Sequence, residues 1–180
     1  LAKFLEQQTG KKIDISRVKR RVARTQHTMR NYDAFQTKRA DRYIPADLVS
    51  PLYAGMTGNI LLGTQEELHY TQMLLRDVER AKPAMGKRIY WMHTIPFWSD
   101  AVKDALLLND DVQIVGCELS QATDISRHSE DPYEEMAMRL IYHALNGPIS
   151  RRINAGIRHA KQAGADGVVW FNHWGCKHTL

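Results

Sequence analysis

Three short groups of residues carry the side chains best equipped for chemistry. The last group, Asn172-His173-Trp174-Gly175-Cys176-Lys177-His178-Thr179, holds a thiol, two imidazoles, an ammonium and an indole within eight positions. The other two are His93-Thr94-Ile95-Pro96 and Cys117-Glu118-Leu119-Ser120. Each follows an apolar run: RIYWM at 88–92, VQIV at 112–115 and VVWF at 168–171. Thiolates are soft ligands for zinc and for iron–sulfur clusters, and beside a base they are nucleophiles. Three chemistries are therefore open. Cys117, Cys176, His173 and His178 would make a Cys2His2 zinc set, though without the C-x2-C spacing of a zinc knuckle. Cys176 with His93 or His173 as base would be the nucleophile of a hydrolase. The same thiols would serve as ligands in an iron–sulfur site. His93, Thr94, Ser120, His173 and Trp174 are the candidate contacts to a substrate, and Glu118 reads as a helix-cap or surface acid.

The elements around these groups decide whether they meet. A helix ending at Gly164 followed by Val168-Val169-Trp170-Phe171 reads as a buried parallel strand. Between the first two runs, Val102, Ala105, Leu106 and Leu107 mark a helix started near Ser99. A polar stretch, Gln121 to Asp131, has the composition of an exposed loop. Pro132 suits the first turn of a helix whose Met136, Ala137, Leu140, Ile141 and Ala144 should face the core. Asn146-Gly147-Pro148 breaks it, and Ile149, Ile153, Ile157 and Ala160 line the next helix. The order β-α-β-(loop-α-α)-β predicts an α/β fold with a parallel sheet and right-handed crossovers. All three strand ends then open on one edge, where ligands of such sheets bind.

The residues ahead of the first strand read as helical. Leu1 to Gln8 is a helix closed by Gly10. Asp14 or Ser16 caps a second, with Val18, Val22, Thr25, Met29, Tyr32 and Phe35 on one face. Ala46 to Met56 suits short helical turns. Thr64-Gln65-Glu66-Glu67 is a capping box opening a helix with Leu68, Met73, Leu75 and Val78 on its apolar face, and Pro83 follows its end. The chain thus divides into a helical lead-in, 1–86, and an α/β domain, 87–180.

Composition narrows the classes further. The chain has 180 residues, is 43% hydrophobic and 25% charged, and carries a net charge of +5 at pH 7, which is ordinary for a globular protein. The cations concentrate in Lys11 to Arg42 with no nucleic-acid motif and no interleaved aromatics, so they read as a solvated helix face. No apolar run reaches the length of a membrane span, there is no signal peptide, and no glycine-rich phosphate loop is present. Two cysteines 59 positions apart make no disulfide framework and suit a reducing cytoplasm. The absence of an initial methionine and the abrupt end read as a piece of a longer protein.

Three stretches together resemble the benzoyl-CoA reductase and 2-hydroxyacyl-CoA dehydratase family, in the manner of the 2-hydroxyglutaryl-CoA dehydratase D-component. They are QQTGKKIDISRVKRRVARTQHTMRN, KRIYWMHTIPFWSDAVKDALLLNDDVQIVGCELS and DPYEEMAMRLIYHALNGPISRRINAGIRHAKQAGADGVVWFNHWGCK. The resemblance implies a flavodoxin-like domain, one of two in a subunit of anaerobic metabolism, that holds a 4Fe–4S cluster through cysteines. Cys176 matches a ligand position. The second position falls at Cys117 or, in another alignment, at Ser120. The remaining ligand is expected from outside this chain, so the fragment alone should be inactive and without the cluster. The resemblance further implies a homologous partner subunit and an ATP-dependent iron–sulfur activator that donates an electron. The substrate would be an acyl-CoA or aryl-CoA thioester, dehydrated or reduced by way of a ketyl radical. The alternatives read from the residues stay beside this one: a non-redox flavodoxin-like binding module, or a zinc or cysteine hydrolase.

Overall fold

The computed structural model describes residues 1–44, 60–106, 108–120 and 126–177. The turns expected over 46–56, and the residues Leu107 and His178, lie outside the described residues. The chain opens with α1 (Ala2–Thr9), closed by Gly10 at φ 65°. Next comes α2 (Ile15–Lys38), whose N-terminal N–H groups at Ser16 and Arg17 donate to the Asp14 carboxylate. A 3-10 turn, Arg39–Asp41, ends it. α3 (Gln65–Arg80) begins where Thr64 accepts the Glu67 N–H, which is one half of the expected capping box.

α2 and α3 pack along their lengths, and the seam between them is partly polar. It buries Thr28, Asn31 and Phe35 against Leu68, Thr71 and Val78, with the Asn31 amide donating to the Thr71 hydroxyl at 3.3 Å. An exposed ion pair, Lys38 to Glu79, closes its end. The apolar stripe expected on α2 is therefore only half-buried over Val18, Val22, Thr25 and Met29. The fully buried face lies round to Thr28, Asn31, Phe35 and Gln36, because α3 brings polar partners to it. Met73 of α3 is likewise exposed.

The sheet has three strands: β1 (Lys87–Met92), β2 (Val112–Cys117) and β3 (Gly167–Trp170). Their order is β2-β1-β3 and both pairings are parallel, as the alternation of elements predicts. α4 (Asp100–Leu106) connects β1 to β2, while α5 (Pro132–Ile141) and α6 (Ile149–Gln162) lie between β2 and β3. Among the described residues ahead of Lys82 there is no strand of this sheet. On one face of the sheet Trp91, Ile95 and Ile114 form a buried cluster with Ile89, Val102, Leu106, Val169 and Phe171 around it. At the opposite end of β1, the Asp166 carboxylate takes the Arg88 N–H at 2.8 Å and its guanidinium at 3.3 Å, fastening β3 to β1.

Two expectations about burial are corrected. β3 is an edge strand rather than a covered one: Val168 and Trp170 remain 53% and 52% exposed, so only alternate residues reach the core. The apolar residues of α5 and α6 also face outward. Met136, Leu140, Ile141, Ile149, Ile153 and Ile157 are all exposed, and of the residues expected inside only Ala144 is fully buried. α6 instead turns Arg152, Ala155, Gly156 and His159 inward. That face lies roughly 110° round the helix from the isoleucine stripe, at 100° per residue. On this face a Cβ at Gly156 would stand 3.3 Å from Met92 Cε, so the helix approaches the end of β1 here.

Candidate functional site

The carboxyl ends of the three strands meet as the sequence requires. β1 runs out at Met92, and the next residue, His93, turns sharply with φ 69°. A non-glycine residue there costs on the order of 1–2 kcal/mol and persists only where its surroundings hold it. The holding groups come from the end of β2. The Glu118 carboxylate accepts the His93 N–H at 3.1 Å, and the Cys117 thiol lies 3.8 Å from the His93 carbonyl oxygen as a weak donor. The imidazole is thereby aimed at the segment after β3, with Nε2 3.3 Å from Cys176 Sγ.

Cys117 and Cys176 thus lie at the same edge but in different surroundings. Cys117 is 1% exposed, and burial pushes its thiol up to about 11, so it stays protonated at neutral pH. Cys176 is half-buried, in a turn whose N–H at Cys176 donates to the His173 carbonyl at 2.9 Å. Of the two, Cys176 is the more accessible.

Glu118 is not the surface acid expected. It is buried and paired with Arg152 of α6, Nε to Oε1 at 2.5 Å and Nη2 to Oε2 at 2.8 Å, the two side chains 7% and 5% exposed. Bonding to Glu118 raises the Arg152 guanidinium pKa further above its ordinary value. Arg152 was not among the residues singled out from the sequence. The available signal was an arginine on the same helical face as Ala155, Gly156 and His159, which must point inward if small residues do.

The remaining candidates divide. The Thr94 carbonyl accepts the Trp91 indole N–H at 3.0 Å, and Ser120 bonds to the Tyr32 hydroxyl of α2, so both are engaged by the scaffold. His173 and Trp174 stack at 6.4 Å with an 8° interplanar angle, and the His173 Nδ1 accepts the Gly175 N–H at 3.3 Å. They end a run of rings: Phe97 to Trp98 at 5.2 Å, Trp98 to Phe171 at 6.0 Å and Phe171 to His173 at 6.5 Å. Trp98 and Trp174 are 54% and 90% exposed, which gives the rim of the crevice an aromatic surface. Among the described residues no three His, Cys, Asp or Glu side chains gather closely enough to hold a metal ion. His173 therefore does not join the two cysteines as the zinc set requires, and its fourth member, His178, lies outside the described residues.

The profile of the 2-hydroxyglutaryl-CoA dehydratase D-component family matches residues 1–180. The chain belongs to that family. As a D-component it is one component of a 2-hydroxyacyl-CoA dehydratase, an enzyme built from more than one subunit. No curated protein and no solved structure matches the chain. Among the described residues of this D-component no helix is long and apolar enough to cross a membrane.

A 4Fe–4S cluster asks for soft thiolate donors and a site that excludes water. In this D-component Cys176 fits by chemistry and position, at the crevice rim beside an imidazole and a tryptophan. Cys117, the other candidate, is buried beneath the same edge, its thiol 3.8 Å from the His93 carbonyl oxygen.

Proposed function

We propose that this chain is the part of a 2-hydroxyacyl-CoA dehydratase that contributes Cys176 as a ligand to a 4Fe–4S cluster. The observation that carries the proposal is the contact of Cys176 with His93 at the carboxyl edge of the sheet, in a chain of the D-component family. The cluster would supply one-electron chemistry, which an unactivated dehydration needs and which acid–base side chains alone do not provide. The other ligands come from outside the described residues, and the electron from an ATP-dependent iron–sulfur activator. Dehydration is favoured over reduction of an aromatic ring because the family is one of dehydratases. The chain's own residues hold and line the site. His93 sets the direction of the Cys176 side chain. Trp98, Phe171 and Trp174 offer an aromatic surface at the rim, and the face of Trp174 with the His173 ring is where an acyl thioester would lie.

The test uses the natural polypeptide carrying this sequence, combined with its companion subunit and activator in the absence of oxygen. Formation of an enoyl-CoA from a 2-hydroxyacyl-CoA, dependent on ATP and a reductant, is the expected result. Thioester hydrolysis that proceeds without reductant and is abolished by chelating zinc would overturn the proposal in favour of a hydrolase. Reduction of benzoyl-CoA in place of dehydration would reassign the reaction.

A further inference from the structure

The residues around His93 form a backbone grip that has no part in the family assignment. His93 is held in the left-handed region although it is not glycine. Its N–H is taken by Glu118 and its carbonyl oxygen faces the Cys117 thiol, so the last residue of β2 and the one after it hold both sides of one residue of the β1 turn. Arg152 of α6 in turn holds both oxygens of Glu118. All three gripping side chains are buried. The product of the arrangement is the 3.3 Å contact between the His93 imidazole and Cys176.

We infer that Glu118 and Arg152 are positioning residues that act on Cys176 through His93, and that Cys117 belongs to this grip rather than to the set of metal ligands. A buried ion pair is a poor device for stability alone, since an apolar pair of similar volume often does as well. Its directional bonds fix a geometry that apolar packing would not. Here the fixed object is His93, a left-handed residue whose imidazole lies beside the proposed ligand. The part about His93 and Cys176 concerns the geometry of the metal-free chain and stands apart from the dehydratase reading, whereas the part about Cys117 rests on that reading.

The test removes both charges and the acceptor of the His93 N–H together, Glu118→Met with Arg152→Met, so that neither charge is left buried and alone. Histidine ring nitrogens are recorded by long-range proton–nitrogen correlation at one fixed pH, with His93 assigned from His93→Gln. Cys176→Ala supplies the signature of a lost contact. The expected result is a folded double variant whose His93 signal moves to the position it has in Cys176→Ala. A folded double variant with the wild-type His93 signal would overturn the inference. If the double variant does not fold, Glu118→Asp serves: it keeps the charge facing Arg152 but withdraws it from the His93 N–H, and the same displacement is expected, its absence being contrary. A second reading uses His93→Gly, which occupies the left-handed region without help. In that background the loss of Tm caused by the double substitution should fall to less than half, and an undiminished loss would contradict the grip. For Cys117, Cys117→Ala in the natural polypeptide should keep its full iron content, whereas loss of iron would make Cys117 a ligand. Absence of iron from the parent protein itself would sink the dehydratase reading and leave the ring-nitrogen result to decide the grip.

Discussion

At the scale of single residues, the two cysteines show how one side-chain type takes different roles in adjacent places. Cys117 ends a strand and is packed beneath the crevice, while Cys176 sits in a turn at its rim. The buried thiol has a consequence for stability. Its pKa is raised from 9.0 to about 11, chiefly by burial. Below the lower value both folded and unfolded chains keep the proton. As pH rises from there, the unfolded chain gives up its proton first, so folding loses stability until the folded thiol also ionises. The loss attributable to Cys117 should be on the order of 2 kcal/mol across that window. Urea denaturation of wild type and Cys117→Ala under reducing conditions, at about pH 8 and about pH 10.5, isolates it. The wild type should lose more stability than the variant between the two, and equal losses would refute the assignment. The meeting of His93, Cys117 and Cys176 was legible in the sequence, because each follows an apolar run and parallel strands end together. The burial of Glu118 was not legible. A carboxylate goes inside only with a partner, and Arg152 lies 34 positions away on an element whose orientation the sequence left open.

At the scale of elements, strand and helix positions followed from periodicity and caps, whereas the choice of buried face did not. The isoleucines of α6 recur at helical spacing, and the helix is there, but they face away from the sheet. Periodicity reports that a helix has an apolar stripe; what covers the stripe is a separate matter. The same holds for β3, whose continuous apolar run suggested a strand covered on both faces where the structure has a half-exposed edge. Glycines provide a sharper test of how the elements join. Gly86, at φ 67°, leads into β1, and a Cβ there would stand 2.2 Å from the Asp111 carbonyl oxygen, just ahead of β2. Gly10, at φ 65°, has open space around it. Gly86→Ala should therefore cost about 3 kcal/mol or more, since both backbone strain and a backbone clash apply. Gly10→Ala should cost only about 1 kcal/mol, from the left-handed conformation alone. Chemical denaturation of the two variants checks this, and equal costs would show that the close approach at Gly86 is relieved at no expense.

At the scale of the whole molecule, a helical pair rests beside a small parallel sheet, and both cysteines and His93 gather at the sheet's carboxyl edge. The contact between the two parts is specific. Arg39, buried at the end of α2, donates to the Ile114 carbonyl of β2 at 2.5 Å, and burial lowers its pKa to about 10. Arg39→Met should keep the bulk and lose the bond. It should lower stability by roughly 1–2 kcal/mol, with the exposed Arg20→Met as a near-neutral control in the same denaturation experiment. The α/β class, the parallel sheet and the crevice were legible because alternation of elements restricts topology severely. The family was legible in the order of three long stretches, and the match over the whole chain bears it out. The ligand set was not legible in the sequence, because two cysteines alone would not hold the proposed cluster. The most direct test of the central claim is therefore made on the natural polypeptide, purified without oxygen as wild type and as Cys176→Ser. Iron is counted and the broad thiolate-to-iron absorbance recorded. The account predicts about four irons per subunit in the wild type and loss of most of that iron and absorbance in Cys176→Ser. Full iron content and an unchanged spectrum in Cys176→Ser would contradict it.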